Sequence, residues 1–243
     1  MNDSAHLDGN VVIVTGGSSG IGRAIAAACL ARGARVMIGA RDVGRLQEAV
    51  RTLGGGSAGE VDGATVDVRD HDQVQAFVAK TVDRFGGLDI LVNNAGVGGF
   101  ASIADQSLEQ WHSIIETNLS GVFYCCRAAI PHLRRRGGGF IVNISSLAGK
   151  NAFTAGGAYC ASKAALNMFS EVLMQEVRYD DIRVSYVMPG SVTTAFDDGS
   201  ASAGADWKMT ADDVAEVVLD IVSVNRRTLA SRVEMRPSKP NKK

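Results

Sequence analysis

The sequence alternates between strand-like and helix-like segments along almost its entire length. The apolar run VVIVTG (11–16) precedes a helical pattern, IGRAIAAACLARG (21–33), which leads into a second apolar run, ARVMIGAR (34–41). Continuous apolar runs are typical of strands that are covered on both faces of a sheet. Strands that alternate with helices form right-handed crossovers, which place a parallel sheet between two helix layers. The sequence therefore predicts an α/β fold with a doubly wound parallel sheet and helices on both faces.

The rest of the chain extends this alternation to a sheet of about seven strands. Apolar residues recur with helical spacing from Val74 to Phe85, and a longer helix is predicted over 107–133. The other predicted strands are GATVDV (63–68), LDILVNNAG (88–96), GFIVNISS (139–146), IRVSYVMPG (182–190) and SRVEMRP (231–237). In such sheets ligands bind beyond the carboxyl ends of the strands, so we expect the ligand site at that end of the sheet.

Length and charge narrow the class of protein. The chain has 243 residues, no evident linker and a formal charge of −1, so we expect one domain over 1–243 with no general attraction to nucleic acid or to an anionic membrane. Basic residues at 134–136 and at the end of the chain are expected to be solvated. The first ten residues lack a signal-peptide pattern, and no apolar run reaches membrane-spanning length, which predicts a soluble, cytoplasmic protein.

The cysteines and histidines do not show metal-ligand spacing. The four cysteines include no CxxC pair, and the four histidines include no HExxH motif. Small buried hydrophobes in a reducing compartment are the simplest interpretation of the cysteines. We therefore predict no metal site.

A glycine-rich turn, TGGSSGIG (15–22), joins the first strand to the first helix. Gly16, Gly20 and Gly22 give the spacing TGxxxGxG rather than GxGxxG. Such a turn lets the backbone approach a pyrophosphate, and the following helix presents free N–H groups to it. The position of the turn between the first strand and the first helix favours a dinucleotide site. The alternative is a turn with a purely structural role.

The end of the second strand indicates which dinucleotide is preferred. An acidic residue at this point binds a ribose 2′-hydroxyl, whereas an arginine accommodates a 2′-phosphate. The chain has Ala40 followed by Arg41. Because a guanidinium suits a phosphate, we predict that NADP(H) is preferred over NAD(H). The alternative is that Arg41 only faces solvent.

A tyrosine and a lysine lie one helical turn apart in GGAYCASKAALNMF (156–169). The four-residue spacing places Tyr159 and Lys163 on one face of a helix, although both groups ordinarily titrate near pH 10. Taken alone, Tyr159 could be an ordinary core residue of an amphipathic helix. The neighbouring motifs decide between these interpretations.

Six motifs occur in the order found in short-chain dehydrogenases/reductases, and the sequence resembles this family over nearly its whole length. They are TGGSSGIG, NNAG (93–96), Asn118 in ETNLSG, NISS (143–146), YCASK (159–163) and PGSVTT (189–194). The stretches GFIVNISSLAG and IIETNLSGVF are similar to 3-oxoacyl-carrier-protein reductases. The resemblance implies a single Rossmann domain.

The resemblance also implies a catalytic tetrad of Asn118, Ser146, Tyr159 and Lys163. Tyr159 would be the general acid or base, Lys163 would lower its pKa and bond the nicotinamide ribose, Ser146 would bind the substrate oxygen, and Asn118 would support a proton relay. Ser146 lies thirteen residues before Tyr159, as is usual in the family, and Ser145 is the competing candidate. Asn118 could instead be a surface residue of a long helix.

The cofactor contacts follow from the same resemblance. Asp67 and Val68 would flank the adenine, and the segment 189–194 would hold the nicotinamide carboxamide. Asp67 could instead cap a turn, and Asn93 could be a turn residue without a ligand. The complete predicted set is Gly16, Ser18, Ser19, Gly20, Ile21, Gly22, Arg41, Asp67, Val68, Asn94, Ala95, Gly96, Tyr159, Lys163, Pro189, Gly190, Val192 and Thr194.

The substrate region is expected to include a short flap over 195–209. Phe196 and Trp207 are its candidate apolar contacts, with Phe100 and Phe153 on the opposite wall and Ser146 at the substrate oxygen. The chain beyond the last strand, 236–243, is predicted to be a flexible tail.

Together these features predict an oxidoreductase that transfers a hydride between NADP(H) and a ketone, an aldehyde or a secondary alcohol. The substrate is expected to be a small molecule. An alternative is that this molecule is attached to an acidic carrier, which would contact the basic run 134–136. An NADP(H)-binding redox sensor without turnover is the alternative. The resemblance implies a homotetramer or homodimer built on helices around 105–130 and 159–177.

Overall fold

A computed structural model describes residues 7–55, 57–194 and 206–240. The strands are β1 (Val11–Thr15), β2 (Arg35–Ala40), β3 (Glu60–Thr65), β4 (Ile90–Asn93), β5 (Gly139–Ile144), β6 (Ile182–Pro189) and β7 (Arg232–Met235). These parallel strands form one sheet in the order β3-β2-β1-β4-β5-β6-β7. The α/β prediction is therefore confirmed, as is the single sheet with helices on both faces.

Two hydrophobic cores lie on the two faces of the sheet. Alternate residues of β1 point into each of them, because successive side chains of a strand face opposite sides. The helices are α1 (Gly20–Ala31), α2 (Val43–Gly54), α3 (His71–Phe85), α4 (Leu108–Ile115), α5 (Gly121–Arg136), α6 (Gly157–Val177) and α7 (Ala211–Ser223). One core packs α1, α2 and α7 against the sheet, and the other packs α3, α5 and α6.

Capping residues fix where several helices begin. The carboxylate of Asp42 accepts a hydrogen bond from the backbone of α2, and Asp70 does the same for α3. Thr210 and Asp213 form a reciprocal capping box at the start of α7. These caps satisfy N–H groups that have no partner inside the helix, so the preceding loops end at defined positions.

The third strand begins three residues earlier than its sequence pattern predicts. It runs from Glu60 to Thr65 rather than over 63–68, because its register is set by pairing with β2, from Arg35 opposite Glu60 to Ala40 opposite Thr65. The strand is at the edge of the sheet and is only partly buried, so its apolar pattern is weak.

The long helix predicted over 107–133 contains a π-helical turn. α4 ends at Ile115, residues Glu116–Ser120 form the wider turn, and α5 continues from Gly121. Such turns insert an extra residue into a helix and occur often at functional sites. This one contains Asn118.

Ion pairs lie at the end of the sheet where the strands begin, opposite the strand carboxyl ends. Within the basic run 134–136, Arg134 pairs with Asp180 at 2.8 Å and Arg136 pairs with Asp89 at 2.7 Å.

Among the described residues, no helix has the length and apolar character needed to cross a membrane.

Candidate active site

The predicted site residues converge at the carboxyl edge of the sheet, on both sides of the point where strand order reverses. β1 lies between β2 and β4, so the chain leaves β1 toward one half of the sheet and returns after β3 to build the other half. Crevices at such points are the usual ligand sites of doubly wound sheets. The loops that follow β1, β2, β3, β4, β5 and β6 all begin at this side of the sheet, and each contains predicted site residues.

The glycine turn after β1 is shaped by two residues with positive φ and by one close contact. Gly16 has φ of 66° and Gly20 has φ of 51°. A Cβ atom on Gly22 would overlap the carbonyl oxygen of Gly16 and the side chain of Asn94, so α1 packs directly on the turn. Ser19 begins α1 without a side-chain cap, and Ser18 and Ile21 lie partly exposed beside it.

Thr15 and Asn94 fasten the glycine turn to the loop after β4. The buried Thr15 hydroxyl oxygen accepts hydrogen bonds from the backbone N–H groups of Asn94 and Ala95, both at 3.0 Å. The Asn94 amide nitrogen in turn donates to the carbonyl oxygens of Thr15 and Gly16 at 3.0 and 3.2 Å. Sequence reasoning missed this role of Thr15, because a threonine at the end of a strand carries no specific signal.

A buried polar chain lies beneath the site. The Asn93 amide donates to Asn143 at 2.9 Å, and the Asn143 amide donates to the Ser170 hydroxyl at 2.8 Å. The alternative interpretation of Asn93 as a turn residue is wrong, since Asn93 is the buried last residue of β4. These hydrogen bonds connect β4, β5 and α6 in the core, which sequence reasoning did not predict.

Asn118 is fully buried and secures the loop after β4. Its amide oxygen accepts from the Val97 backbone N–H at 2.8 Å, and its amide nitrogen donates to the Val97 carbonyl at 3.0 Å and to the Ser162 hydroxyl at 3.1 Å. The alternative of a surface asparagine is wrong. A Cβ atom on Gly96 would lie 3.4 Å from Asn118 Oδ1 and 3.7 Å from Lys163 Nζ, so both polar groups border this glycine.

Lys163 is a buried amine beneath the ring of Tyr159. Its side chain is 4% exposed, and Nζ donates to the Ile144 carbonyl at 2.9 Å and lies 5.9 Å from the Tyr159 ring centroid. Burial lowers the pKa of Lys163 to about 8. Both residues come from the first two turns of α6, so the helix brings them together as the spacing predicts.

The two adjacent serines after β5 have different surroundings. Ser145 is buried, and its hydroxyl donates to the Asn167 amide oxygen at 2.5 Å. Ser146 is partly exposed, and its hydroxyl accepts from the Ala148 backbone N–H at 3.1 Å. The geometry therefore leaves Ser146, rather than Ser145, at the surface of the cleft.

The loop after β3 carries an ion pair that the sequence motifs do not indicate. The Asp67 carboxylate accepts from Arg69 Nε at 3.0 Å and from Nη2 at 2.5 Å, and the Arg69 guanidinium is the main cause that lowers the pKa of Asp67. Arg41, exposed after β2, lowers this pKa as well. Val68 is buried against Gly121 at the start of α5.

The loop after β6 closes the other side of the cleft. Pro189 is the last residue of β6, and the Gly190 backbone N–H donates to the Met235 carbonyl at 2.9 Å. Val192 pairs with Met209 as an isolated bridge. A Cβ atom on Gly20 would lie 3.5 Å from the Thr194 methyl group, so the loops after β1 and β6 approach each other across the site.

Aromatic side chains form one wall beside Tyr159. The Phe100 ring meets the Phe153 ring edge-on at 5.6 Å and the Tyr159 ring at 5.9 Å, and Phe100 and Phe153 are 44% and 47% exposed. Trp207 is partly exposed in the short segment before α7. Phe196 and most of the predicted flap 195–209 lie outside the described residues.

Comparison with known proteins identifies the family. The sequence profile described as short chain dehydrogenase matches residues 10–203. This chain belongs to that family. An uncharacterised oxidoreductase of Staphylococcus saprophyticus is 32% identical over 232 residues, which cover 96% of this chain and 99% of the relative. The finer resemblance to 3-oxoacyl-carrier-protein reductases stays a prediction.

Solved structures of similar proteins share this architecture over nearly the whole chain. An alcohol dehydrogenase from Thermococcus sibiricus, complexed with 5-hydroxy-NADP, is 30% identical with a TM-score of 0.88 and covers 96% of this chain and 99% of its own. A metagenomic short-chain oxidoreductase in complex with NADP is 36% identical with a TM-score of 0.83 and the same coverage. L-sorbose reductase from Gluconobacter frateurii, complexed with NADPH and L-sorbose, is 31% identical with a TM-score of 0.87, covering 96% and 97%.

Proposed function

We propose that this short-chain dehydrogenase is an oxidoreductase that transfers a hydride between NADP(H) and a ketone, an aldehyde or a secondary alcohol. The observation that carries the proposal is the buried Lys163 ammonium beneath Tyr159, at the edge of the sheet where the glycine turn also lies. Within the described residues the hydrogen-bond partner of this amine is one carbonyl, so its burial costs free energy, which favours a functional role for its charge. Three structures of similar proteins that contain NADP, NADPH or a derivative support the choice of cofactor.

The residues at the carboxyl edge fit a dinucleotide. Gly16, Gly20 and Gly22 keep side chains out of the turn, and the start of α1 offers N–H groups to a pyrophosphate. Asp67 and Val68 would border the adenine, and the loop from Pro189 to Thr194 would hold the nicotinamide carboxamide. When bound, the nicotinamide supplies or accepts the hydride.

Tyr159 would move the proton that accompanies the hydride. In carbonyl reduction its phenol would donate to the substrate oxygen, and in alcohol oxidation it would accept the proton. Because the pKa of Lys163 is about 8, the amine is mostly charged at pH 7, and a neighbouring positive charge stabilises a phenolate. Lys163 would thus assist proton transfer in both directions.

Ser146 and Asn118 would complete the proposed site. The Ser146 hydroxyl would donate to the substrate oxygen as negative charge develops there. Asn118 would hold the loop after β4 in place through Val97 and would support a relay of protons from Lys163. Phe100 and Phe153 would form the apolar wall of the substrate site, with Trp207 and Phe196 as the proposed contacts of the flap.

A coupled assay tests the proposed function. A panel of ketones and aldehydes is supplied with NADPH and, separately, with NADH, and the absorbance of the reduced nicotinamide is followed. We expect turnover of at least one carbonyl, faster with NADPH. Tight NADPH binding without turnover of any substrate, in either direction, would support a redox sensor instead.

A further inference from the structure

Arg69 and Asp67 form an ion pair that uses both carboxylate oxygens. Arg69 Nε lies 3.0 Å from Oδ1 and from Oδ2, and Nη2 lies 2.5 Å from Oδ2. The Arg69 backbone N–H also donates to Oδ1 at 3.0 Å. Both side chains are only partly exposed. The loop after β3 therefore holds a carboxylate whose charge is largely compensated.

Two further charges act on this pair. Ala40 and Thr65 are paired at the ends of β2 and β3, and the Ala40 carbonyl accepts from the Val66 backbone N–H at 3.0 Å, so Arg41 and Asp67 lie in adjacent loops. The Arg41 charge adds to the effect of Arg69 in lowering the pKa of Asp67, and the Glu116 carboxylate, at the start of the π-helical turn, adds to the effect of Asp67 in raising the pKa of Arg69. Asp67 is thus a carboxylate in the loop next to Arg41, the residue proposed to hold a 2′-phosphate. Without Arg69, this carboxylate would lie beside the proposed phosphate site uncompensated.

We propose that Arg69 is a specificity-determining residue that allows a 2′-phosphate to bind at Arg41 by neutralising Asp67. A doubly charged phosphate is repelled by an uncompensated carboxylate, whereas a ribose 2′-hydroxyl is not. In a partly solvated site, one extra negative charge within about one Debye length weakens the binding of a phosphate about threefold to tenfold. Arg69 acts through Asp67, since its Nε and Nη2 are both directed at that carboxylate. The inference rests on the proposed NADP(H) site.

Equilibrium binding of the two reduced dinucleotides tests the inference. Nicotinamide fluorescence gives the Kd of NADPH and of NADH for the wild-type chain and for Arg69→Gln. We expect the Kd of NADPH to rise about threefold to tenfold and that of NADH to change less than twofold. The control is Arg51→Gln, because Arg51 makes a similar two-nitrogen pair with Glu48 near the far end of α2. It should alter neither Kd.

A double-mutant cycle separates neutralisation from direct contact with the phosphate. In an Asp67→Asn background, Arg69→Gln should change the ratio of the two Kd values less than twofold. An equal loss of NADPH affinity in that background would overturn the inference, as would an unchanged ratio in the single variant. If the wild-type chain bound neither dinucleotide, the proposed function itself would fail. If it bound both equally, the proposed NADP(H) preference would fail.

Discussion

Lys163 has the least ordinary environment of the residues at the proposed site. Its amine is removed from water, and in the described part of the chain its hydrogen-bond partner is the Ile144 carbonyl. Burial of a charged amine disfavours the charged form, and this lowers its pKa from 10.5 to about 8. The cost is compatible with the proposed function, because a charge that is poorly solvated acts strongly on its neighbour Tyr159.

The lowered pKa of Lys163 predicts a change of stability with pH. Between about pH 8 and 10.5 the unfolded chain holds this proton while the folded chain loses it, so the lysine raises the free energy of unfolding as the pH rises. The gain over that range is about 3 kcal/mol. Lys163→Met should lack it, which urea unfolding of both proteins at pH 7.5 and 10.5 would measure.

Buried thiols change the stability of the fold with pH in the opposite direction, so wild type and variant must be compared at each pH. Burial raises the pKa of Cys29 and of Cys126 to about 12, so unfolding releases their protons above pH 9 and stability falls there. The thiols are the same in both proteins, and the difference between wild type and variant isolates Lys163. A difference that stays constant from pH 7.5 to 10.5 would contradict the prediction.

Replacement of Tyr159 by phenylalanine should remove the proton donor and little else. We expect carbonyl reduction to slow by about 10³-fold, since a positioned acid contributes about 10²–10⁴-fold, while the Kd of NADPH stays within threefold. Steady-state rates and fluorescence titration measure the two effects. Tyr179→Phe, at a fully exposed tyrosine after α6, should leave both unchanged. More than a tenth of wild-type activity in Tyr159→Phe would show that another group supplies the proton.

At the scale of elements, the π-helical turn positions Asn118. The turn lies between α4 and α5, and it inserts its extra residue where the asparagine binds both polar groups of Val97. Two hydrogen bonds to the backbone of one residue, Val97, fix the loop that carries Asn94, Ala95 and Gly96. The turn thus connects a helix on one face of the sheet to the cleft at its edge.

The contact between α1 and the glycine turn gives a test at the same scale. Gly22→Ala would place a methyl group against the Gly16 carbonyl, which is backbone, so we expect a loss of about 1–3 kcal/mol and about tenfold weaker NADPH binding. Gly44→Ala, in the first turn of α2, meets nothing closer than 3.5 Å and should stabilise the fold by about 0.5–1 kcal/mol. Chemical unfolding and fluorescence titration distinguish the two glycines.

At the scale of the whole molecule, one apolar surface is left open by α5 and α6. Phe123, Met168 and Val172 are 44%, 66% and 46% exposed, and Phe123 meets the partly buried Phe169 edge-on at 6.5 Å. Neighbouring exposed apolar side chains on two helices are typical of an interface. We propose that a second copy of the chain covers this surface in a homodimer or homotetramer.

Disruption of the α5–α6 surface tests this proposal. Met168→Glu would place a charge in the apolar contact, and we expect the molar mass measured by light scattering after gel filtration to fall to that of a smaller assembly. Val43→Glu is the matched control, because Val43 is also exposed but lies at the start of α2, where an acidic residue is favourable. An unchanged mass for Met168→Glu, or a monomeric wild type, would contradict the proposed interface.

Local patterns were sufficient for the architecture. Apolar runs and helical spacing predicted the parallel strands and the two helix layers, because a strand covered on both faces and an amphipathic helix each have a distinct periodicity. The pattern failed at β3, where the edge strand is half exposed and pairing with β2 sets the start at Glu60. It also failed to show the π-helical turn, because one inserted residue barely changes the helical period.

The amino-acid sequence by itself determined which loops carry polar and glycine residues, and the resemblance to a family supplied their proposed roles. Only the tertiary structure decided how those side chains are used. It placed Ser145 in the core and Ser146 in the cleft, and it turned Asn94 and Thr15 to fasten two loops. It also paired Arg69 with Asp67. Hydrogen bonds between distant segments and the burial of individual charges depend on the packed fold, and local sequence does not encode them.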